Sequence, residues 1–220
     1  MILVFSVRGR DLTVSEHINP FPYPTPLEVV LLQELAAAGR ECYERGWCPG
    51  TAGNFSLRGK RSLSWVSRTS ISKAQLSVRD FVPVSLETGD PVTPESPRAS
   101  LEAAVHLAIY RLSPDARVVV HAHPPYTVAR SAVDAEFLFR GAEIQKALGA
   151  LSHEESLSIP LIANPTKLTL AHMQRELEAM TNLRPGVIVL RGHGVYAWGE
   201  SPVMALDRLE ALEFLCQTST

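Results

Sequence analysis

The segment Arg117-Val118-Val119-Val120-His121-Ala122-His123 carries the strongest structural signal in this chain of 220 residues. Three consecutive valines favour a β-strand that is buried on both faces, and this strand runs directly into two histidines. A second apolar segment, Gly186-Val187-Ile188-Val189-Leu190, runs in the same way into Arg191-Gly192-His193-Gly194. We therefore predict two buried strands, each of which delivers histidine at its end.

Helical and extended patterns alternate along the rest of the chain. Thr25, Pro26 and Glu28 form a helix-start signal, because threonine caps, proline suits the first helical position and glutamate completes a capping box. This helix is expected to end near Gly46. Further helices are predicted at 101–112, 126–132, 167–180 (capped by Thr166) and 201–215, further strands at 54–57, 63–66, 81–86 and 158–163, and a loop at 91–97. The pattern predicts an α/β fold: a single domain at residues 25–220 with a mixed central β-sheet flanked by helices. Residues 1–24 are interpreted as an N-terminal extension that could include a short strand.

Composition argues against several functional classes. Lys plus Arg number 21 and Asp plus Glu number 23, a formal net charge of −2, so the basic surface that nucleic-acid binding needs is not expected. No apolar run approaches the roughly 20 residues of a membrane-spanning helix, and we recognise no signal peptide. Cys42, Cys48 and Cys216 lack the spacing of a zinc knuckle. We expect free thiols and a cytoplasmic protein.

The His-Ala-His sequence is a candidate metal site. His121 and His123 point to the same side of a strand, because strand side chains alternate between the two faces. Two neutral imidazoles supply half of a zinc site, and a catalytic zinc needs a third protein ligand. His193 is the candidate third ligand, although the same pattern also occurs by chance or as a hydrogen-bonded pair. The other histidines considered are expected in the core, on helix surfaces or in a polar loop: His106, His172 and His153.

Metal-assisted chemistry on an organic substrate also needs a group that moves protons. Glu102 opens the helix before the His-Ala-His strand, and Glu143 lies within Gly141-Ala142-Glu143-Ile144-Gln145-Lys146. From the pattern alone, a glutamate in the first helical turn is often a partner of the helix dipole, and Glu143 would be an ordinary surface charge. Both carboxylates stay open as candidates at this point.

Four motifs, in order, resemble the class II aldolase/adducin family over residues 27–215. They are Thr51-Ala52-Gly53-Asn54-Phe55-Ser56, Ser100-Leu101-Glu102 followed by His106, His121-Ala122-His123, and Arg191-Gly192-His193-Gly194-Val195-Tyr196-Ala197-Trp198-Gly199. The resemblance implies one Zn²⁺ per subunit, bound by His121, His123 and His193. It also implies a homotetramer with active sites near the subunit interfaces.

The resemblance further implies a phosphate site. Gly53, Asn54 and Ser100 match the positions that hold the substrate phosphate in the family. Thr69 and Ser70 stand where the family has a Ser-Gly pair, so one hydroxyl is kept but a side chain replaces the glycine. The implied partner is a small ketose phosphate.

Two stretches are similar to the methylthioribulose-1-phosphate dehydratase branch of the family: residues 141–148 and the C-terminal block from Gly194 to Leu215. This likeness implies zinc-dependent dehydration of 5-methylthioribulose 1-phosphate through a metal-stabilised enediolate, a step of methionine salvage. Glu143 is then expected to transfer protons, with Glu102 as the alternative acid/base or a transient metal ligand. Retro-aldol cleavage of a ketose phosphate and a non-catalytic, adducin-like interaction domain are the alternatives. Trp65, Phe139 and Trp198 are apolar candidates for the methylthio pocket.

Overall fold

The computed structural model describes residues 22–93, 97–180, 183 and 185–219, and the backbone of residues 2–8 and 11–17. Within these ranges the helices are α1 Pro26–Glu44, α2 Ala103–Leu112, α3 Pro125–Val133, α4 Leu170–Glu178 and α5 Pro202–Thr218. The strands are β1 Ile2–Arg8, β2 Asp11–His17, β3 Asn54–Arg58, β4 Leu63–Ser67, β5 Phe81–Ser85, β6 Val118–Ala122, β7 Phe137–Phe139, β8 Leu157–Ile159, β9 Leu161–Ile162, β10 Val187–Leu190 and β11 Gly194–Gly199. Short 3-10 helices lie at Lys73–Gln75, Val78–Asp80 and Glu143–Leu148.

A seven-stranded sheet in the order β5-β4-β3-β6-β11-β10-β9 forms the centre of the fold. Its pairs are antiparallel except for β9 and β10, which are parallel. The predicted mixed sheet is therefore confirmed, with a mostly antiparallel character.

The two valine-rich strands are buried on both faces, as their composition predicts. Val118 and Val120 of β6 belong to a core with α1 and α5, whereas Val119 faces a second core with α2 and α4. Helices thus cover both sides of the sheet. His121 points to the α2 side, where it stacks on Tyr196 with ring centroids 4.0 Å apart.

Helix α1 begins where the sequence predicts. The Glu28 backbone N–H donates to the Thr25 hydroxyl at 3.4 Å, and the Thr25 N–H donates to the Glu28 carboxylate at 2.6 Å. The capping box is therefore present, with Pro26 as the first helical residue.

Two predicted elements need correction, and one strand of the central sheet was not predicted. The predicted helix at 167–180 begins only at Leu170, because the Thr169 hydroxyl rather than Thr166 accepts the capping N–H, from His172 at 3.2 Å. The predicted strand at 158–163 is divided into β8 and β9 by Pro160, which cannot donate to a ladder. Strand β11 is absent from the predicted strands, because the glycines at its two ends, Gly194 and Gly199, weaken the β pattern. Part of the predicted loop at 91–97 lies outside the described residues.

The N-terminal extension contains a two-stranded antiparallel hairpin, in which Ile2 pairs with His17 and Arg8 with Asp11. The expected short strand is thus a pair of strands. The domain boundary at residue 25 stays a prediction.

Two further expectations concern the methylthio pocket and membrane-spanning helices. Trp65, Phe139 and Trp198 are buried in the two cores, although Trp198 also reaches the lining of a surface cavity of about 390 Å³ beside Gly186 and Arg208. Across the described residues, every helix is too short or too polar to cross a membrane.

Candidate metal centre and substrate groove

The sheet brings the three predicted histidines to one edge. Strand β11 lies between β6 and β10 and is antiparallel to both, with Val195 opposite Ala122 on one side and Val189 on the other. The C-terminal ends of β6 and β10 therefore meet at the same edge, and the histidines that follow them converge.

The three imidazoles are close enough to share one metal ion. One ligand atom from each of His121, His123 and His193 lies within 4.8 Å of the others. The Nε2 atoms of His121 and His123 are 3.0 Å apart. The ring of His193 stands edge-on to that of His121, with centroids 5.1 Å apart.

The chemistry of the donor set fits a cation. The Nδ1–H of His121 donates to the carbonyl of Val195 at 2.8 Å, which leaves the lone pair of Nε2 directed at the cluster. Burial is the largest influence on the pKa of His121 and lowers it well below its ordinary value, against the opposing charge of Glu102. Burial likewise lowers the pKa of His123. Neutral imidazole is the form that binds metals.

Gly194 provides the space that the cluster needs. A Cβ atom at this position would lie 2.6 Å from the carbonyl oxygen of Ala122, 2.9 Å from Cε1 of His121 and 3.2 Å from Cδ2 of His123. Two of these contacts are with the imidazole rings themselves. The backbone of β11 can therefore pass behind the two rings only because residue 194 has no side chain.

The turn that carries His193 is fixed to the end of α3. The Arg191 guanidinium donates to the carbonyls of Ser131 at 3.2 Å and Asp134 at 2.6 Å, and the N–H of Gly192 donates to the Ser131 hydroxyl at 3.0 Å. These bonds satisfy carbonyl groups at the helix C-terminus and hold the turn in place. His193 thereby has a defined position opposite His121 and His123.

Glu102 is the carboxylate that lies at the cluster. Its Oε1 is 3.0 Å from Nε2 of His193, and its Oε2 is 3.3 Å from Nε2 of His121. Burial, the largest single influence, raises the pKa of Glu102, but the hydrogen bond with His193, the charges of His121 and His193 and a hydrogen bond from Asn54 together lower it to about 2. Glu102 is therefore ionised at neutral pH.

A groove of about 180 Å³ leads away from this carboxylate and from His123. All five residues predicted to hold phosphate line it: Gly53, Asn54, Thr69, Ser70 and Ser100. Gly53 has φ +79°, and a Cβ there would lie 2.8 Å from the carbonyl oxygen of His121. Ser70 adopts φ +61°, a left-handed conformation that suits glycine better.

Sequence reasoning missed a cation at the floor of the groove. Lys73 is 1% exposed, and its Nζ donates to the carbonyls of Thr51 and Ile71 at 2.9 Å each. An ammonium has three donors, so one remains beyond these two bonds. Arg68 also lines the groove. The signal was available, because Arg68 and Lys73 flank Thr69-Ser70 in sequence.

The structure does not bring Glu143 to the groove of its own chain. Its side chain is 69% exposed and pairs with Lys146 and with His153, whose Nδ1 is 3.4 Å away. Glu143 instead lines an open apolar depression of about 660 Å³ with Ile144 and Phe214. Glu143 is the first residue of the 3-10 helix Glu143–Leu148.

Known proteins that are similar to this chain identify its family. The model of the class II aldolase and adducin N-terminal domain matches residues 33–220. A methylthioribulose-1-phosphate dehydratase of Yersinia enterocolitica is 38% identical over 194 residues, which cover 86% of this chain and 91% of that protein. A protein of the same name from Pectobacterium carotovorum is 35% identical over 192 residues, covering 84% and 92%.

Solved structures give the same assignment. The L-fuculose-1-phosphate aldolase of Thermus thermophilus superposes with a TM-score of 0.67 and 30% identity, over 84% of this chain and 90% of the aldolase. The family match, the similar proteins and the shared architecture extend over most of the chain. This chain therefore belongs to the class II aldolase and adducin family.

Proposed function

We propose that this chain is a lyase that removes water from 5-methylthioribulose 1-phosphate and releases 2,3-diketo-5-methylthiopentyl 1-phosphate. One observation carries the proposal: the chain is 38% identical to a dehydratase of that name across 91% of the relative's length. The groove supports it, because His123 and Glu102 share its lining with hydroxyl side chains and the buried Lys73. A ketose phosphate has a carbonyl for the histidine cluster and a phosphate for the hydroxyl groups and the lysine.

The metal of the proposed enzyme is one Zn²⁺ per subunit, held by His121, His123 and His193. Three neutral protein ligands with an open position are typical of catalytic zinc sites. Because neutral ligands leave the charge of the ion intact, the chemistry supplied here is polarisation of the C2 carbonyl, which acidifies the proton on C3. Thiolate ligands would weaken this effect, and all three cysteines are free and buried. Free thiols also agree with the proposed cytoplasmic location.

The part of the groove that is lined by hydroxyl groups and Lys73 binds the phosphate. The hydroxyl groups of Thr69, Ser70 and Ser100 can donate to phosphate oxygens, and the third N–H of Lys73 adds a charge-assisted donor. Gly53 supplies the positive φ of the turn and leaves room for the carbonyl oxygen of His121 behind it. Binding of the phosphate fixes C1 of the ketose, so that C2 and C3 lie towards the histidines.

Glu102 accepts the proton from C3. It is ionised and lies beside the histidines, which are the requirements for a base acting next to a polarised carbonyl. The C4 hydroxyl then leaves as water after it takes up a proton, and the enol that remains becomes the C3 ketone. The net change is loss of one hydrogen from C3 and one hydroxyl from C4.

Glu143 supplies the second proton transfer from a neighbouring subunit. Ile144 is 38% and Phe214 52% exposed beside it, and a half-exposed phenylalanine next to an apolar depression is typical of a surface covered in an assembly. We propose a homotetramer in which this surface meets the groove of the next chain. Glu143 then reaches a site that its own chain does not offer it.

The alternative enzyme is an aldolase that breaks the C3–C4 bond of a ketose phosphate. The 30% identity to the Thermus thermophilus aldolase favours it, and the same histidines and Glu102 serve both reactions. A non-catalytic, adducin-like domain is the alternative from another class; it predicts neither metal binding nor turnover.

Product analysis separates the three. Zinc-loaded protein is incubated with 5-methylthioribulose 1-phosphate, and the products are identified by mass spectrometry and by the ultraviolet absorbance of a diketone. Dehydration yields one product lighter by one water molecule, with all five ribulose carbons retained. Two carbon fragments would establish the aldolase instead, and unchanged substrate would favour the interaction domain.

A further inference from the structure

We propose that His106 is a positioning residue that acts on Glu102 through the side chain of Asn54. The inference rests on the proposed function, in which Glu102 accepts the C3 proton. His106 does not line the groove, and it is not one of the three histidines that could share a metal ion. It lies within α2 and is 0% exposed.

An unbroken row of short hydrogen bonds links the catalytic carboxylate to the core. Asn54 Nδ2 is 2.5 Å from Glu102 Oε2, and Asn54 Oδ1 is 2.5 Å from His106 Nε2. The row continues from His106 Nδ1 to the Ser56 hydroxyl at 2.7 Å and from there to the Tyr110 hydroxyl at 2.7 Å. Every member other than Glu102 is buried.

The direction of each bond follows from the groups present. A carboxylate only accepts, so the Asn54 NH₂ donates to Glu102 and its carbonyl oxygen must accept from Nε2–H of His106. Burial lowers the pKa of His106 to about 3 against the charge of Glu102, so the ring is neutral and has this single N–H. Its Nδ1 then accepts from Ser56, which in turn accepts from Tyr110.

The backbone explains why these residues meet. Glu102 is the N-cap of α2 and His106 lies one helical turn later, and residues four apart lie on the same face of a helix. Asn54, at the start of β3, bridges the two side chains. The Glu-x-x-x-His spacing is therefore the sequence signal of this bridge.

The consequence concerns the orientation of the Asn54 amide. An amide can rotate by half a turn and exchange its oxygen for its nitrogen, and the acceptor-only carboxylate of Glu102 and the N–H of His106 both favour the orientation with the oxygen towards His106. With the oxygen towards Glu102, two acceptors would face each other and the carboxylate would lose its donor. His106 thus keeps Asn54 as a donor to Glu102 and holds the carboxylate beside His121 and His193.

The test is a double-mutant cycle in the zinc-loaded enzyme. We expect His106→Leu and Asn54→Ala each to lower kcat by at least about tenfold, the size of effect seen when partners of metal-site residues are removed. The double variant should fall no further than the lower single variant, because both changes break the same link. Zinc content should be equal in all three. Losses that multiply in the double variant would overturn the proposal.

A conservative pair separates positioning from packing. His106→Gln places an amide N–H near the position of Nε2 and should recover most of kcat, whereas the shorter side chain of His106→Asn does not reach Asn54. The variants His106→Gln and His106→Asn separate a positioning role from a packing role even where His106→Leu does not fold. Equal kcat in the two variants would contradict the proposal. The control is His172→Gln on α4, a half-buried histidine that is not a member of the row, which should leave kcat and KM unchanged.

A measurement without substrate keeps this inference separate from the proposed function. The ¹⁵N chemical shifts of the His106 ring should show the neutral Nε2–H tautomer, and the Asn54 NH₂ resonances should shift in His106→Asn but much less in His106→Gln. A Nδ1–H tautomer would refute the row of bonds whatever the reaction turns out to be. Failure of dehydration with the tautomer present would refute only the proposed function.

Discussion

Glu102→Gln and Glu143→Gln subunits, each inactive alone, should regain activity when they are assembled together. Glu102 lies 3.0 Å from His193 in its own chain, whereas Glu143 pairs with Lys146 and His153 at a separate surface. In the proposed tetramer, a working site takes Glu102 from one chain and Glu143 from its neighbour. No chain in such a mixture carries both carboxylates, so recovered activity must come from sites shared by two chains.

The size of the recovery follows from the composition of the site. With equal amounts of the two variants assembled at random, half of the grooves keep Glu102 and half of the neighbours keep Glu143. About one quarter of the sites are then complete, and activity should reach about one quarter of the unsubstituted level.

The assay uses the two variants co-expressed with different affinity tags and purified through both tags, followed by initial-rate measurements of diketone formation. The matched control mixes the double variant Glu102→Gln/Glu143→Gln with unsubstituted chain. Sharing between chains gives about one quarter of full activity in this control, and action within one chain gives about one half. Inactive mixed single variants together with half activity in the control would refute the shared site.

Three further predictions concern the groove and the cluster. Gly194→Ala should weaken zinc binding and lower the free energy of unfolding by about 1–3 kcal/mol, because the added Cβ meets the Ala122 carbonyl oxygen at 2.6 Å. Zinc titration and urea denaturation measure the two effects, and an unchanged zinc affinity would contradict the prediction. Lys73→Met should raise KM at least about tenfold and weaken inhibition by inorganic phosphate, because a charge-assisted hydrogen bond of about 1.5–3 kcal/mol is lost. An unchanged inhibition constant for phosphate would show that Lys73 only stabilises the loop and does not bind the substrate. Ser70→Gly should raise the free energy of unfolding by up to about 1 kcal/mol by relieving the left-handed φ of +61°, and a lower urea midpoint would show that the serine is not strained.

Much of the fold follows from local patterns. The double-sided burial of Val118 to Val120 and the capping box at Thr25 depend on neighbouring residues in the chain, and both are observed. The end of β6 and the end of β10 were each expected to carry histidine. These two strand ends meet at one edge of the sheet because β11 lies between them. The sequence pattern did not reveal β11, because glycines stand at both of its ends.

The site was less predictable where partners come from distant segments. A lysine is usually a surface residue, and Lys73 is buried only because the carbonyls of Thr51 and Ile71 receive it. His106 is expected from the sequence only to have a core or surface role on a helix, and its bond to Asn54 joins that helix to a strand that lies about fifty positions earlier. The proposed role of Glu143 depends on a neighbouring chain, which no pattern within one chain describes.

Zinc binding to the three single variants His121→Ala, His123→Ala and His193→Ala tests the central claim most directly. Metal-free protein is titrated with Zn²⁺ against a competing chelator, with thermal unfolding as the control for folding. Three imidazoles that share one ion predict one Zn²⁺ per chain and a loss of affinity of at least about 100-fold in every variant. Unchanged affinity in His193→Ala would show that the two strand ends do not share an ion, and would contradict the account.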